Sequence, residues 1–406
     1  MERPVRMGIL HVQRLRGKEI FSFEYEESWL LSDYAVLLDP DIQLYRGLQY
    51  LPEGEKANFG LFMDSAPDHW GRVLMNRREA ALARKEGRKA RKLFETDYLL
   101  GVQDFLRMGA LRFKFEEDGP FLADEEGFSV PPWTSLAALE QISLRLEEDA
   151  SVDEPEYLAW LNMLMAPGSS LGGARPKASV QDREGALWIA KFPSRSDSCD
   201  VGAWEMVAWE LARGAGLRVA PAMSRKFAGR HHTFLTKRFD RTAGGARIHF
   251  SSAITQLGYT DGDDKLSGVS YLELAEFIEN HGARVEEDLK ELWRRIVFYI
   301  GISNTDDHLR NHGFLLTDEG WRLSPAYDMN PQENSSGLCL NITETDHALD
   351  IDLAREIIPY FFKDDREPEK IIGEVRASVS RWRNVARRYG IPLREQEEKA
   401  GAFLWG

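Results

Sequence analysis

The segment GISNTDDHLRNHGFLL, residues 301–316, places a dense group of polar side chains between two apolar runs. Between RRIVFYIGI and GFLL stand Asp306, Asp307, His308 and Asn311. Carboxylates and amides at the ends of buried elements are costly unless they have partners. The segment is therefore either a decorated turn or a site at which these groups bind a ligand or accept a proton.

The spacing of Asp306 and Asn311 matches the catalytic loop of protein kinases, H-R-D-x-x-x-x-N. There an aspartate accepts the hydroxyl proton of the substrate, and an asparagine five positions later binds Mg²⁺. A second metal-binding aspartate must follow a short hairpin; GFLLTDEGWRLSP predicts the hairpin, and LSPAYDMNP supplies Asp328. An isolated Asp–x₄–Asn pair is common by chance, whereas this longer arrangement is much rarer.

Farther upstream, Lys191 is a candidate for binding phosphate and Glu205 is the candidate partner of its ammonium group. Lys191 ends the apolar stretch LWIAK, and Glu205 stands inside the apolar helix VGAWEMVAW. A strand lysine can extend its ammonium to solvent, or it can hold the phosphates of a nucleotide and pair with a helix glutamate. From these two residues alone, a plain ion pair and a nucleotide-binding pair are equally good interpretations.

The stretch SSLGGARPKA, residues 169–178, is a candidate phosphate loop. Glycines let a backbone approach a ligand, successive N–H groups can bind phosphate oxygens, and Lys177 adds positive charge. The stretch is neither a Walker A loop nor G-x-G-x-x-G. By itself it is better interpreted as an ordinary turn before a strand.

The elements that must position these residues can be predicted in outline. KASVQD and ALWIAKFPS are typical of strands, DVGAWEMVAWELARGAGL of an amphipathic helix, and RVAPAMSRKFAGRHHTFLTKRFDR of two further strands. This order predicts an antiparallel sheet with one helix against it. MGILHV and EIFSFEYEESWLL predict a hairpin, and GALRFKF predicts a strand. The chain after Tyr271 is predicted to be mostly helical apart from the segment 301–316 and the second hairpin.

Together these motifs resemble the HipA-type serine/threonine kinases, the toxins of bacterial toxin–antitoxin pairs. SSLGGARPKA is similar to the S-x-x-G-A-x-x-K phosphate loop of that family, NTDDHLRNHGFL to its N-x-D-x-H-x-x-N catalytic loop, LSPAYDMNP to its metal-binding segment and KRFDR to its hinge. The resemblance covers nearly the whole chain. It implies an α+β, protein-kinase-like bilobal fold with an N-terminal β-rich subdomain at residues 1–130, a nucleotide-binding lobe at 131–242 and an all-helical catalytic lobe at 243–406.

The resemblance also implies ATP and Mg²⁺ as cofactors and a role for each matched position. Asp306 would be the catalytic base, Asn311 and Asp328 would hold the metal, and Glu205 would form a structural ion pair with Lys191. The residues that would contact ATP are Gly172, Gly173, Ala174, Arg175, Pro176, Lys177, Lys191, Lys237, Arg238, Phe239, His308, Leu309, Arg310, Asn311, Tyr327 and Asp328.

In this family a serine of the phosphate loop can be autophosphorylated, which ejects the loop and silences the enzyme, and its position falls on Ser170. The chain departs from the family where Glu commonly starts the hinge and Gln or a similar residue lies in the phosphate loop. Lys237, Arg175 and Pro176 stand there instead. Hinge contacts use the backbone largely, so Lys237 costs little, while Pro176 lacks an N–H that could face a phosphate.

The composition predicts a folded protein of a reducing cytoplasm, which the resemblance implies is bacterial. The 406 residues are 43% hydrophobic, and the net charge is −14, so the surface as a whole does not attract nucleic acid. Cys199 and Cys339 match neither a zinc spacing nor a disulfide framework, as expected in a reducing compartment. The N-terminal sequence is not that of a signal peptide, and the apolar runs are too short to span a membrane.

The sequence and the resemblance together predict an ATP- and Mg²⁺-dependent protein serine/threonine kinase that phosphorylates a cellular protein. In relatives the targets include aminoacyl-tRNA synthetases. A helix-turn-helix antitoxin is the expected partner, and nucleic acid would be reached only through it. The main alternative is a kinase-shaped binding module without turnover, which Pro176 keeps open. A small-molecule kinase of the same fold is a third interpretation.

Overall fold

The computed structural model describes residues 4–51, 56–123, 130–165, 175–227, 229–364 and 366–405. The chain is an α+β protein with two compact units. The first unit comprises Met1–Leu187 and Asp240–Asp261, and the second comprises Trp188–Phe239 and Gly262–Gly406. Within the described ranges, no helix combines the length and apolar character needed to cross a bilayer.

The first unit opens with the predicted hairpin. Strands β1 (Gly8–Leu15) and β2 (Lys18–Tyr25) are antiparallel, and the short β3 (Gln49–Tyr50) pairs with the other edge of β2. This pairing confirms the predicted hairpin. Alternate aromatic side chains of β2 are buried, as expected for a strand with one face against the core. These side chains are Phe21, Phe23 and Tyr25.

The rest of the first unit is mainly helical. Its helices are α1 (Glu27–Leu30), α2 (Gly60–Met63), α3 (His69–Lys85), α4 (Glu95–Leu100), α5 (Leu136–Leu146), α6 (Tyr157–Met165) and α8 (Ala253–Gln256). Two further strands belong to this part of the chain, β4 (Lys177–Gln181) and β8 (His249–Ser252).

The strand predicted for GALRFKF, residues 109–115, is wrong. The segment is irregular, and its side chains are held individually: Arg112 donates through Nε to Asp104 at 2.8 Å, and its guanidinium lies 3.3 Å from the ring centroid of Phe121. An extended run becomes a strand only where a neighbouring strand accepts its backbone hydrogen bonds. Here the Phe113 carbonyl accepts from the Leu122 N–H without a strand forming.

The second unit contains an antiparallel sheet in the order β5–β7–β6, with β5 (Leu187–Lys191) beginning at the last residue of the first unit. Helix α7 (Val201–Gly214) comes between β5 and the other two strands, β6 (Ala222–Arg225) and β7 (Thr233–Lys237), and it packs on both. The predicted succession of strand, helix, strand and strand is therefore confirmed in this unit. Gly216 has φ = 81°, a conformation that costs glycine little, where the chain leaves α7.

The remainder of the second unit is helical apart from one hairpin, as predicted. Helix α10 forms much of the core and, after its first turn, is buried nearly all round, with Trp293, Ile296 and Val297 at 0% exposure. The elements are α9 (Tyr271–His281), α10 (Val285–Ile302), β9 (Gly313–Thr317), β10 (Gly320–Leu323), α11 (Ile351–Glu356), α12 (Arg366–Val379), α13 (Trp382–Arg388) and α14 (Leu393–Lys399).

Candidate functional site

Strand β5 ends with Lys191 directed inward. Ile189 and Ala190 are buried, and Lys191 pairs in register with Phe234 of β7. The Lys191 side chain is only 12% exposed, and its ammonium lies 5.8 Å from the ring centroid of Phe234. A lysine so deeply placed requires anionic partners, because an isolated buried charge is expensive.

Two carboxylates supply those partners. The Lys191 Nζ lies 2.5 Å from Glu205 Oε1 and 2.7 Å from Asp328 Oδ1. Burial by itself would lower the pKa of Lys191, but the charges of Asp328 and Glu205 outweigh burial and hold that pKa above its usual value. Three residues that lie far apart in the sequence therefore meet around one ammonium group.

Helix α7 carries Glu205 into this group. The helix begins after Asp200, whose side chain caps it by accepting from the Ala203 N–H at 3.2 Å. Glu205 is 4% exposed and lies between the buried Trp204 and Met206. A carboxylate in this apolar setting is stable because Lys191 pairs with it, and removing either partner would leave a buried charge.

The polar segment that follows α10 is joined to the segment that follows β10. The chain leaves α10 through Ser303, which has φ = 48°. Asn304 Oδ1 accepts from the Asn330 N–H at 2.8 Å, and the Ser303 carbonyl accepts from the Gln332 N–H at 3.1 Å. These two hydrogen bonds fix the loop that carries Asp306 against the one that carries the second candidate aspartate.

Asp306 presents its carboxylate outward, with 60% of the side chain exposed. Its Oδ1 lies 3.8 Å from His308 Nε2. Partial loss of hydration raises the pKa of Asp306, the imidazole of His308 opposes that rise, and the charge of Asp328 adds to it. The direction of this effect agrees with the two hydrogen bonds that join the loop of Asp306 to the loop of Asp328.

Asn311 has a buried amide oxygen without a hydrogen-bond donor among the described residues. Asn311 is only 3% exposed, and its Nδ2 donates to the Asp306 carbonyl at 2.6 Å. That hydrogen bond fixes which end of the amide is the oxygen. An unpaired buried acceptor calls for an explanation, and a bound cation is one that suits an amide oxygen.

Asp328 has a strained backbone, with φ = 54° in the left-handed region. Two residues before it, the backbone is held by a hydrogen bond from the Ala326 N–H to the Arg218 carbonyl at 2.8 Å. Non-glycine residues in this conformation cluster at ligand sites, where surrounding structure enforces them. The observed outlier therefore marks Asp328 as a functional candidate independently of its spacing from Asn311.

Asn311 and Asp328 fit a magnesium ion only with help from a ligand. In the part of the chain that the structure describes, no cluster of three or more His, Cys, Asp or Glu side chains could hold a metal. Mg²⁺ at phosphate-transfer sites takes one or two protein ligands and completes its shell with phosphate oxygens and water. One amide oxygen and one carboxylate suit that pattern.

The residues expected beside adenine also lie together in the second unit. The rings of Phe239 and Tyr327 are 5.6 Å apart between centroids, and the Tyr327 hydroxyl donates to the Arg310 carbonyl at 2.7 Å. The Lys237 N–H donates to the Pro221 carbonyl at 2.8 Å.

The remaining expected contacts in this unit differ in exposure. Arg238 is 4% exposed, whereas the His308 side chain is 37% exposed. Leu309 begins the short 3-10 turn that ends at Asn311, and it is 1% exposed, so it packs into the core beneath the loop.

Only part of the candidate phosphate loop lies within the described residues. Ser170, Gly172, Gly173 and Ala174 lie outside the described residues, whereas Arg175 and Pro176 are described. Lys177 starts β4 in the first unit, where it is 1% exposed and its Nζ lies 2.7 Å from Asp68 Oδ2. The predicted contacts of this loop with phosphate remain predictions.

Asp307 has a structural setting that the sequence did not reveal. It is 0% exposed; Oδ1 accepts from the Cys339 N–H at 2.6 Å, and Oδ2 accepts from the Tyr271 hydroxyl. Burial raises its pKa to about 6, against the opposing effect of these hydrogen bonds. The only sequence feature that singles out Asp307 is that it directly follows Asp306. The catalytic-loop motif leaves the position of Asp307 variable, so the motif did not mark it.

The chain is similar to known kinase-related proteins in both sequence and fold. The profile of the HipA-like C-terminal domain matches residues 169–382, which is more than half of the 406 residues. This stretch contains the glycine-rich loop, Lys191, the 301–316 segment and Asp328. The chain has a kinase-like α+β fold of the HipA type. It belongs to the family of proteins with a HipA-like C-terminal domain.

Curated relatives match over shorter stretches. A protein of Sinorhizobium fredii named "Putative kinase Y4mE" is 29% identical over 147 residues, covering 35% of this chain and 33% of that protein. A Haemophilus influenzae protein named "Putative kinase" is 30% identical over 112 residues, covering 25% of this chain and 33% of that protein. The chain thus matches about a third of the length of each.

A solved structure matches over almost the full length. It is the complex described as the Shewanella oneidensis MR-1 toxin–antitoxin system of HipA, HipB and its operator DNA. The TM-score is 0.64 with 17% sequence identity, and the match covers 98% of this chain and 92% of that chain. At this identity the likeness establishes the fold alone.

Proposed function

We propose that this chain is an ATP- and Mg²⁺-dependent protein serine/threonine kinase. The observation that carries the proposal is the Lys191 ammonium held between Glu205 and Asp328. Kinases place a strand lysine on the nucleotide phosphates, a helix glutamate beside that lysine and an aspartate on the metal. The unpaired oxygen of Asn311 supports the same assignment, because it stands five positions after Asp306.

Each side chain then has one task in phosphoryl transfer. Lys191 neutralises phosphate charge, and Asp306 orients the acceptor hydroxyl and takes its proton as the γ-phosphoryl group moves to that oxygen and ADP leaves. Asn311 and Asp328 offer oxygens to Mg²⁺, which when bound supplies positive charge to the phosphates. Phe239 and Tyr327 would lie against adenine.

The biological setting is proposed from the family. The chain would act in the bacterial cytoplasm as the toxin of a toxin–antitoxin pair, with a helix-turn-helix antitoxin as its partner, and would phosphorylate a cellular protein such as an aminoacyl-tRNA synthetase. The solved complex of a HipA with HipB and operator DNA supports a partner of this kind. Autophosphorylation would fall on Ser170, in the loop that also contains Gly172 to Lys177.

Mass spectrometry of the purified protein after incubation with Mg²⁺ and ATP tests the activity. Wild type should gain phosphate on Ser170 or on an added target. Asp306→Asn should lower the rate by roughly 10²- to 10⁴-fold, because the proton acceptor is lost. The matched control is Asp318→Asn, which changes an exposed aspartate in the β9–β10 turn and should label like wild type. Equal labelling of Asp306→Asn and wild type would contradict the proposal.

A binding module without turnover is the second candidate, and one observation favours it. Lys177 is already paired with Asp68 within the first unit, and its neighbour Pro176 has no N–H to offer. Binding of Mg²⁺–ATP without transfer to Ser170, to added proteins or to small hydroxyl compounds would support this candidate. Transfer to a small hydroxyl compound alone would instead identify a small-molecule kinase.

A further inference from the structure

Two consecutive aspartates of the candidate catalytic loop have opposite environments. The Asp306 side chain is 60% exposed, whereas Asp307 is 0% exposed. A buried carboxylate is retained at a cost in hydration, so its hydrogen bonds must compensate. Asp307 is not used by the chemistry proposed above, and its burial therefore needs a separate explanation.

The hydrogen bonds of Asp307 connect the loop to two parts of the helical scaffold. One oxygen accepts from the Cys339 N–H at 2.6 Å and the other from the Tyr271 hydroxyl. Both donors are themselves fixed. The Cys339 carbonyl accepts from the Lys265 N–H at 2.9 Å, and the Tyr271 N–H donates to the Asn341 carbonyl at 2.9 Å.

This anchoring is transmitted to the candidate metal ligand through one peptide group. The carbonyl of Asp306 and the nitrogen of Asp307 belong to the same planar peptide. An anchored Asp307 side chain therefore restricts, through its own φ and side-chain torsions, the directions that this carbonyl can take. The carbonyl accepts from Asn311 Nδ2 at 2.6 Å. The oxygen of the same amide group is buried and has no hydrogen-bond donor within the described ranges. The direction of that oxygen thus depends on the plane that Asp307 holds.

We propose that Asp307 is a positioning residue that directs the amide oxygen of Asn311 toward the bound metal ion. The inference rests on the metal site of the proposed function and extends it to a residue that touches neither metal nor substrate. It requires that both ends of the Asp307 side chain stay hydrogen-bonded, because their partners, Cys339 and Tyr271, come from different segments. Hydrogen-bonding partners behind metal ligands contribute substantially to metal affinity, commonly 10- to 100-fold.

The test measures metal binding directly and does not depend on turnover. Mn²⁺ binding in the presence of a non-hydrolysable ATP analogue is followed by electron paramagnetic resonance. Asp307→Ala should weaken Mn²⁺ binding roughly tenfold. Asp307→Asn should have a smaller effect, because its amide oxygen still accepts from the Cys339 N–H and its NH₂ can donate to the Tyr271 oxygen. Tyr271→Phe should fall between wild type and Asp307→Ala. Binding of the analogue in EDTA should be unchanged.

The first unit offers a matched control. Asp39 is likewise buried, at 1% exposure, and both its oxygens are hydrogen-bonded: they accept from the Asp41 N–H at 2.8 Å and the Leu61 N–H at 2.7 Å. Asp39→Ala should lower the melting temperature without changing Mn²⁺ affinity. Equal Mn²⁺ affinity of folded Asp307→Asn, Tyr271→Phe and wild type, or an equal loss in Asp39→Ala and Asp307→Ala, would overturn the inference.

The two proposals can fail separately. Wild type that transfers phosphate, with Asp307 variants that bind Mn²⁺ normally, would overturn the role of Asp307 and leave the kinase. Wild type that binds Mn²⁺ and nucleotide without transferring phosphate would overturn the kinase, while the variants still decide the role of Asp307. Wild type that binds no Mn²⁺ with the analogue would contradict both.

Discussion

At the scale of single residues, the candidate site depends on charges that are stable only as a group. Lys191 is a buried cation because Glu205 and Asp328 face it, and Glu205 is a buried anion because Lys191 faces it. In such a group the cost of removing one member greatly exceeds the net contribution of the whole. Under the proposed function, Lys191 exchanges a carboxylate for a phosphate oxygen without changing its own charge.

Lys191→Met tests this coupling through stability. The substitution leaves Glu205 buried without its cation, and the free energy of unfolding should fall by roughly 3–5 kcal/mol. Urea denaturation gives the value. The double variant Lys191→Met with Glu205→Gln should recover part of the loss, because the uncompensated charge is gone. A double variant as unstable as the sum of the two single variants would show that the pair is not coupled.

Asp307 predicts a dependence of stability on pH. Its folded pKa of about 6 exceeds the usual 3.8, so its contribution is fully present below about pH 4 and is lost as the pH rises through 6. The loss amounts to about 3 kcal/mol at neutral pH. Asp307→Asn has no such proton to lose. Its unfolding free energy relative to wild type should therefore increase between about pH 4 and about pH 7.

Thermal unfolding at several pH values measures this difference, with Asp318→Asn as the exposed control that should show no trend. A constant difference between Asp307→Asn and wild type across the range would contradict the buried titration.

Residue spacing located most of the candidate site, and its limits have a physical origin. Asp306, Asn311 and Asp328 were predicted as site residues because phosphate transfer needs oxygen groups at separations that a loop and a hairpin impose. The setting of Asp307 was not found, because spacing carries no information about burial. The pairing of Lys177 with Asp68 was missed for the same reason, since its partner lies more than one hundred positions away in the sequence.

At the scale of elements, the segment from α14 to Leu404 supports the start of the candidate catalytic loop. The Leu404 N–H donates to the Gly301 carbonyl at 3.0 Å, in the last turn of α10. Phe403 stacks on Trp382 with ring centroids 4.3 Å apart, and Lys399 Nζ lies 3.3 Å from the Pro331 carbonyl. The segment from α14 onward therefore holds both α10 and the loop after β10.

Phe403→Ala should lower the free energy of unfolding by roughly 3–5 kcal/mol, because it opens a cavity beside Trp382. The neighbouring Leu404→Ala is the control. Its side chain is 47% exposed and its backbone hydrogen bond is kept, so the change should stay within roughly 0.5 kcal/mol. Denaturant titration of both variants measures the two values. Similar losses in both would contradict the assigned role of the ring.

Element order was predictable where a local pattern coincided with tertiary packing. The hairpin of β1 and β2, the helix α7 between strands, and the hairpin of β9 and β10 all have the predicted positions. GALRFKF was mispredicted because alternation describes a side-chain pattern, whereas a strand also needs a neighbouring backbone. In the structure Arg112 binds Asp104 instead.

At the scale of the whole molecule, net charge constrains the partners. A charge of −14 repels nucleic acid over distances beyond a single contact. The proposed partnership with a helix-turn-helix protein assigns the positive surface to the partner. The division into domains at 1–130, 131–242 and 243–406 remains a prediction, beside the two compact units that the structure describes.

The purified chain is expected not to shift operator DNA in an electrophoretic assay at physiological salt, because its overall charge opposes phosphate. Addition of the proposed helix-turn-helix partner should produce a complex that contains all three components. A control with the helix-turn-helix protein alone separates its own binding from that of the complex. Tight, sequence-specific binding by the chain alone would contradict the assignment of DNA contacts to the partner.

The sequence by itself determined which chemical groups are available and in what order they occur, because the identity and spacing of Lys191, Asp306, Asn311 and Asp328 are properties of the chain. Only the tertiary structure decided which of these groups come into contact, and whether each is buried, paired or unpaired among the described residues. The ammonium of Lys191 between two carboxylates and the unpaired oxygen of Asn311 arise from burial and from long-range contacts. A buried charge or an unsatisfied acceptor is defined by what surrounds it, and no local run of residues contains those surroundings.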